Sequence, residues 1–160
     1  MLKNAWKEFP HPIIIEKALK MNSDTDIFKQ IKTIQEITNS NPNNIETHIA
    51  LGATKLKANI WGEAKYHLFK AIEKHPSPRA YQLLSLLEKN KDKNDKESNY
   101  WLEKAENSVP DPTWVCKNCY NNQDKWMVNC NNCNSFDSLE WKPNLRNNSI
   151  NKSDIIETIL

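Results

Sequence analysis

Apolar residues recur at helical spacing through the first two-thirds of the chain. They occupy positions 27, 28, 31, 34 and 37, and again positions 80, 83, 84 and 87. This i, i+3, i+4, i+7 pattern predicts amphipathic α-helices. We expect a short helix from about Pro12, a cap at Asp24 or Asp26 for the helix that follows, and about six helices in total over residues 1–110.

The helical region contains an internal repeat. Pro42, Pro76 and Pro110 stand 34 residues apart, and a period of this length is typical of repeat proteins. The clearest unit runs from Ile45 to Pro76. Its first helix is predicted to be capped by Asn43 or Asn44, and Asn59 and Gly62 are predicted to mark the turn to its second helix.

Small residues are predicted to lie where the two helices of this unit meet. Two antiparallel helices approach to about 8–9 Å only when the residues between them are small. Gly52, Ala64 and Ala71 meet that requirement. In the next unit, a helix over Pro78–Lys89 is expected to lead through a charged loop at 90–95 to a helix over about 96–108. Because each helix pair leaves one apolar face uncovered, three pairs are expected to stack.

The middle unit resembles a tetratricopeptide repeat, with Leu51-Gly52 in its first helix and Pro76 at its end. That resemblance implies an all-α helical-repeat solenoid over residues 1–110. In such a solenoid the first helix of each pair builds a concave face that binds a protein or peptide. His48, Lys55 and Tyr81 are our candidates for lining this face.

Composition narrows the classes of function. The chain of 160 residues is 38% hydrophobic and 26% charged, with a net charge of +2, which does not predict a nucleic-acid-binding surface. No apolar run is long enough for a membrane span, and no signal peptide opens the sequence, so we expect a cytoplasmic protein. The four histidines are scattered, and two glycines are too few for a phosphate-binding loop, so no enzymatic activity is expected.

All four cysteines lie within eighteen residues, in the pattern C-x2-C-x10-C-x2-C: Cys116, Cys119, Cys130 and Cys133. Two disulfides or a redox pair are alternatives, but two equally spaced Cys-x-x-Cys pairs in a chain without a signal peptide favour one tetrahedral metal ion. Four thiolates suit Zn²⁺ or a mononuclear iron of rubredoxin type, and zinc is favoured. With four protein ligands the ion has no open position, so the site is structural or at most transfers an electron.

The sequence therefore predicts a small four-cysteine zinc-ribbon or rubredoxin-like module over residues 111–143, followed by a flexible tail at 144–160. Five aromatic residues surround the cysteines and are expected to form the core of this small domain: Trp114, Tyr120, Trp126, Phe136 and Trp141. Some of them are also expected to pack against the last helix pair, so that the module caps the helical repeats.

Three segments together resemble the C-terminal part of HemY-type tetratricopeptide proteins of alphaproteobacteria. They are A-W-K-E-F-P-H-P near the N-terminus, P-D-P-T-W-V-C-K-N-C, and the stretch K-W-M-V-N-C-N-N-C-N-S-F-D-S-L-E-W-K-P. The resemblance implies a non-enzymatic interaction scaffold linked to haem biosynthesis. A mononuclear iron module with a redox or regulatory role is one alternative. Another is an adaptor in envelope assembly, similar to the lipopolysaccharide-assembly protein LapB, whose repeats end in a rubredoxin-like metal site.

The sequence departs from these families in two ways. The N-terminal membrane anchor usual in HemY-type proteins is absent, so association with the inner membrane is expected only through partners. Metal-binding turns of this kind usually place glycine after the second cysteine, where φ is positive. Here Tyr120 and Asn134 occupy those positions, and we expect backbone strain at the tyrosine.

Overall fold

The computed structural model describes residues 1–143, and the tail predicted at 144–160 lies outside them. Within this range the elements are α1 Leu2–Glu8, α2 Pro12–Met21, α3 Ile27–Thr38, α4 Ile45–Lys57, α5 Trp61–Lys74, α6 Pro78–Asp92, α7 Asp95–Glu106, β1 Pro112–Cys116, β2 Asn122–Gln123 and β3 Leu139–Pro143. One compact unit, Met1–Ser108, holds the seven helices, and a second begins at Val109 and holds the three strands. The prediction of a mainly helical chain with a four-cysteine cluster near its C-terminus is confirmed.

The packing of α4 against α5 depends on a glycine. A Cβ atom placed on Gly52 would lie 2.7 Å from Cδ2 of Leu68, a residue with no exposed surface. Ala64 and Ala71, on the same helix as Leu68, are also fully buried. The prediction that small residues lie at this helix contact is therefore confirmed. At Gly52, even the single carbon of an alanine side chain would clash with Leu68.

Replacing Gly52 with alanine is expected to destabilise the helical unit by about 1–3 kcal/mol. The clash with Leu68 in a buried contact outweighs the helix propensity that alanine adds, which is about 1 kcal/mol. Gly62 is the matched control, because nothing lies within 4 Å of a Cβ added there. Urea denaturation followed by circular dichroism at 222 nm should show Gly52→Ala less stable than the wild type and Gly62→Ala at least as stable. Equal stability of all three proteins would contradict this reading of the contact.

Helix ends follow the predicted caps in some places and depart from them in others. The side chains of Asp26 and Asn44 accept backbone hydrogen bonds at the starts of α3 and α4, as predicted. Gly62 was predicted in the turn before α5 but lies inside that helix. The predicted charged loop at 90–95 is wrong in length, because α6 continues to Asp92 and α7 begins at Asp95. Lys93 ends α6 in a left-handed conformation with φ of 49°.

Helix α1 was not among the six predicted helices. It has only seven residues, too few for a periodic pattern to identify it. Trp6 anchors it, since this side chain is fully buried and its indole N–H donates to Oγ1 of Thr47 at 2.9 Å. Trp6 belongs to a core cluster with residues of α2, α3 and α4, while a second cluster fills the space among α4, α5, α6 and α7. Helix α4 contributes to both clusters.

One buried and one partly buried histidine are held neutral in the helical unit. His11 precedes α2, and its Nδ1 accepts a hydrogen bond from the backbone N–H of Ile13 at 3.1 Å. Burial, together with the charge of Arg79, lowers the pKa of His11 to about 4. Burial, together with the charge of Lys55, lowers the pKa of His67 to about 4 as well. Both imidazoles are therefore uncharged in the folded protein at neutral pH.

The helical unit is expected to lose stability as the pH falls from about 6.5 to about 4. In this window the unfolded chain binds protons at both histidines, whose usual pKa is near 6.5, and the folded chain does not. His11→Asn retains a capping side chain but removes one titrating group, so its stability should change less over the same window. Urea denaturation at pH 7, 5.5 and 4.5 measures this difference. An identical pH dependence in the variant and the wild type would contradict the prediction.

Candidate metal centre

The two Cys-x-x-Cys segments fold into turns of the same geometry. In the first, the N–H of Asn118 donates to Sγ of Cys116, and in the second the N–H of Asn132 donates to Sγ of Cys130, both at 3.4 Å. The carbonyls of Cys116 and Cys130 accept from the residues four positions later, at 3.0 and 2.8 Å. The N–H groups of both cysteines also donate to carbonyls five residues on, each at 3.0 Å. Each turn thereby directs two sulfurs toward one point.

Both turns end in a residue with positive φ. Tyr120 has φ of 55° and Asn134 has φ of 58°, which confirms the conformation predicted at these positions. Asparagine tolerates the left-handed region, whereas tyrosine is strained there by roughly 1–2 kcal/mol. The tyrosine side chain is 59% exposed, so packing offsets little of that strain.

Replacing Tyr120 with asparagine is expected to stabilise the metal-loaded unit by about 1 kcal/mol, because it relieves the left-handed strain without removing a buried contact. The reverse exchange, Asn134→Tyr, should destabilise the unit by a similar amount. Competition with a zinc chelator reports both effects as a shift in apparent metal affinity. The prediction is wrong if Tyr120→Asn binds the metal more weakly than the wild type.

A three-stranded antiparallel sheet supports the first turn. Strand β1 ends at Cys116 and lies between β2 and β3, with Cys116 opposite Leu139 in the register. Trp114 and Trp141 also face each other across β1 and β3, and their ring centroids lie 5.3 Å apart. The sheet pairing thus holds the backbone of Cys116 at the end of β1.

The predicted aromatic core is wrong for three of its five members. Tyr120, Trp126 and Phe136 are 59%, 50% and 76% exposed. The buried centre consists of Cys116, Cys130 and Leu139, with partly buried side chains packed around them, among them Trp114 and Met127. The sulfur atoms themselves therefore form much of the interior of this unit.

The distances among the four sulfurs fit a single coordinated ion. Sγ of Cys116 lies 3.6 Å from Sγ of Cys133, and Sγ of Cys119 lies 3.6 Å from Sγ of Cys130. All four ligand atoms lie within 4.8 Å of one another. A tetrahedron with metal–sulfur bonds of about 2.3 Å has edges of about 3.8 Å. A disulfide would require about 2.05 Å, and the four cysteines are free.

Polar groups around two of the sulfurs, those of Cys116 and Cys133, favour the thiolate form that a metal requires. The hydroxyl of Ser138 lies 3.3 Å from Sγ of Cys116 and lowers the pKa of that thiol. The hydroxyl and N–H of Ser135, together with the side-chain amide of Asn118, lower the pKa of Cys133 to about 5. The amide of Gln123 donates to Sγ of Cys130 at 3.8 Å. The donor set is soft and anionic, which fits Zn²⁺ or iron.

These polar residues were not identified from the sequence. Gln123 and Ser138 are separated from the sulfurs they contact by 7 and 22 residues, so no local spacing reveals them. Asn118 and Ser135 lie inside or next to a Cys-x-x-Cys segment, where a search for donors around the cysteines could have singled them out.

The residues predicted to line a binding face lie in two places. His48 and Lys55 both approach His67, with Nδ1 of His48 3.2 Å from Nδ1 of His67 and Nζ of Lys55 3.4 Å from its Nε2. Lys55 is buried and forms an ion pair with Glu63. Tyr81 lies apart from this group and stacks on Trp101, with 6.0 Å between ring centroids.

No family model, no curated protein and no solved structure matches this chain. Among the helices of residues 1–143, none is both long enough and apolar enough to cross a membrane.

Proposed function

We propose that this protein is a non-enzymatic interaction scaffold, in which a helical-repeat domain binds a protein or peptide and a four-thiolate metal ion holds the C-terminal module together. The observation that carries the metal part is the placement of four free sulfurs within 4.8 Å of one another by two equivalent turns. With all four positions of a tetrahedral ion filled by cysteine, no position remains for water or substrate. The ion therefore contributes structure and not hydrolysis.

Zinc is the metal we propose, in a ribbon or rubredoxin-like arrangement. A mononuclear iron centre is the second candidate, since hydrogen bonds to the sulfurs, such as those found here, help to set the reduction potential of iron–thiolate sites. Metal analysis of the purified protein separates the two. A colourless protein with one equivalent of zinc supports the structural role. A red protein that dithionite bleaches supports an iron centre that transfers electrons.

Several contacts in the helical unit support the tetratricopeptide-like part of the proposal. Gly52 brings α4 against α5 in the middle repeat, at the position where such repeats need a small residue. The side chains of Arg79 and Glu46, 33 residues apart, link the first turns of α6 and α4. An ion pair between Lys65 and Glu88 links α5 to α6. Such contacts between neighbouring helix pairs stabilise a stack of repeats.

Two classes of partner follow from the resemblances in the sequence. The resemblance to HemY-type proteins favours an enzyme of haem biosynthesis, and the resemblance to LapB favours an enzyme of envelope assembly. We propose His48, Lys55 and Tyr81 as residues that shape the binding face, although Lys55 also supports the α4–α5 contact through Glu63.

Affinity capture from the native organism, with chemical crosslinking and the full-length protein as bait, tests this proposal. Reproducible recovery of haem-pathway enzymes supports the first role, and recovery of envelope-assembly enzymes supports the adaptor role. His48→Gln and Lys55→Met are the test variants, used once circular dichroism shows that they retain the helical fold, and both should reduce recovery relative to the wild type. Capture of neither class of enzyme by a folded, metal-loaded bait would contradict the scaffold proposal.

A further inference from the structure

We propose that Cys119 is the labile ligand of the metal centre, the sulfur that leaves the ion first when a chelator or an alkylating reagent attacks. Asn118 and Ser135 hold the equivalent ligand of the second turn, Cys133, in place. This inference rests on the proposed metal site and goes beyond it, because it assigns different roles to four cysteines that the sequence pattern treats as equal.

Burial divides the four ligands into two pairs. The first cysteine of each turn is shielded, with Cys116 0% and Cys130 2% exposed. The second cysteine of each turn, Cys119 or Cys133, is only partly buried. A reagent in solution therefore reaches Cys119 and Cys133 before the other two, and burial alone does not decide between them.

Hydrogen bonds distinguish the two accessible sulfurs. Sγ of Cys133 lies 3.2 Å from the hydroxyl of Ser135 and accepts from Nδ2 of Asn118 at 3.6 Å. Sγ of Cys119 lies 3.6 Å from the sulfur of Cys130. Within residues 1–143 we find no N–H or hydroxyl group that donates a hydrogen bond to Cys119. The negative charge on the Cys119 thiolate is therefore less stabilised by hydrogen bonds than the charge on the Cys133 thiolate.

Two side chains, those of Asn118 and Ser135, create this asymmetry across two turns with the same backbone hydrogen bonds. Asn118 and Asn132 occupy the same position in their turns, both are exposed, and both donate a backbone N–H to a sulfur. The side chain of Asn118 also reaches the other turn, where Nδ2 donates to Oγ of Ser135 at 3.0 Å. The side chain of Asn132 makes no such bond in the part of the chain that the structure describes. Asn118 thus links the first turn to the second, and no equivalent link runs back to Cys119.

The rate of alkylation of each metal-bound thiolate measures this difference in hydrogen bonding between Cys119 and Cys133. With iodoacetamide, a sulfur lone pair forms a bond to carbon, the carbon–iodine bond breaks, and iodide leaves. The product is a neutral thioether, which binds zinc weakly and so detaches. A sulfur that already accepts hydrogen bonds is a poorer nucleophile, because the donors stabilise its charge before the reaction.

The test uses the full-length protein loaded with one equivalent of zinc, limiting iodoacetamide and peptide mapping by mass spectrometry. Trypsin cleavage after Lys117 and Lys125 places Cys119 on a peptide of its own, and fragmentation separates Cys130 from Cys133. We expect Cys119 to react roughly tenfold faster than Cys133, since hydrogen bonds from Ser135 and Asn118 protect the latter. Cys116 and Cys130 should react last, and zinc release should follow the modification of Cys119.

Asn118→Ala and Asn132→Ala form a matched pair for this test. Asn118→Ala should raise the rate at Cys133 toward that of Cys119, whereas Asn132→Ala should leave the ratio of the two rates unchanged. Ser135→Ala, which removes the other donor, should act in the same direction as Asn118→Ala. Equal effects of the two asparagine variants would overturn the assigned role of Asn118.

Two failures are distinguishable. If zinc slows alkylation relative to chelator-treated protein but Cys133 reacts first or at the same rate as Cys119, the labile-ligand inference is overturned and the metal centre stands. If zinc protects none of the four cysteines, the metal centre itself is contradicted.

Discussion

Replacing Cys130 with serine is expected to abolish the ordered structure of the second unit while leaving the helical unit folded. Cys130 is 2% exposed and lies in a cluster whose other buried members are Cys116 and Leu139. A unit of this size has too little apolar interior to fold without a further source of stability. Metal binding supplies it, because structural zinc in small domains contributes about 10–16 kcal/mol of binding free energy, which is also folding free energy.

The change is best measured by NMR. In the Cys130→Ser protein, the amide signals of residues 109–143 should collapse to the narrow range typical of unfolded chains, and circular dichroism at 222 nm should change little. Asn131→Ser is the matched control, since this exposed neighbour lies in the same turn and, within residues 1–143, donates to no sulfur. Dispersed signals from the second unit in the Cys130→Ser protein would show that its fold does not depend on the metal.

Replacing Arg79 with methionine is expected to destabilise the helical unit by about 3–5 kcal/mol. Two nitrogens of the guanidinium donate to the two carboxylate oxygens of Glu46, at 2.6 and 3.2 Å. The two side chains are 13% and 10% exposed, so both charges are largely withdrawn from water. Removing one partner leaves the other charge buried and uncompensated, which is the most unfavourable arrangement of the pair.

A double-mutant cycle separates the pair from its surroundings. Glu46→Gln combined with Arg79→Met removes both charges, and this protein should be more stable than Arg79→Met alone. Lys70→Met is the control for a solvent-exposed ion pair, because Lys70 pairs with Glu73 at the surface and should change stability by less than about 1 kcal/mol. If Arg79→Met unfolds at the same urea concentration as the wild type, the pair does not contribute to holding α4 against α6.

Much of the helical unit follows from local sequence patterns, because helices and their caps depend on residues close together in the chain. Apolar spacing predicted α3 and α6, and the 34-residue repeat predicted α4 and α5. Asp26 and Asn44 were each one of two candidate caps, and Gly52 predicted the close contact between α4 and α5. Helix α1 was not predicted, because the residue that anchors it is Trp6, whose hydrogen-bond partner Thr47 is 41 residues away. Long-range contacts leave no periodic trace in the sequence.

In the candidate metal centre, too, the local features could be predicted from the sequence and the long-range contacts could not. The four ligands and the positive φ at Tyr120 and Asn134 follow from the spacing of the cysteines, since each Cys-x-x-Cys turn is a local structure. The hydrogen bonds that Ser138 and Gln123 make to individual sulfurs could not be predicted, because these residues lie 22 and 7 positions from the cysteines they contact. The aromatic residues were assigned to the core on composition alone, and the sulfurs and Leu139 take that place instead.

The central claim is that one metal ion binds to the four cysteines, and X-ray absorption spectroscopy of the purified full-length protein tests it most directly. With the metal content measured on the same sample, we predict one zinc or iron ion per chain, surrounded by four sulfur atoms at about 2.3 Å. A protein that binds no metal after anaerobic purification and addition of zinc, or an ion with fewer than four sulfur neighbours, would contradict the account.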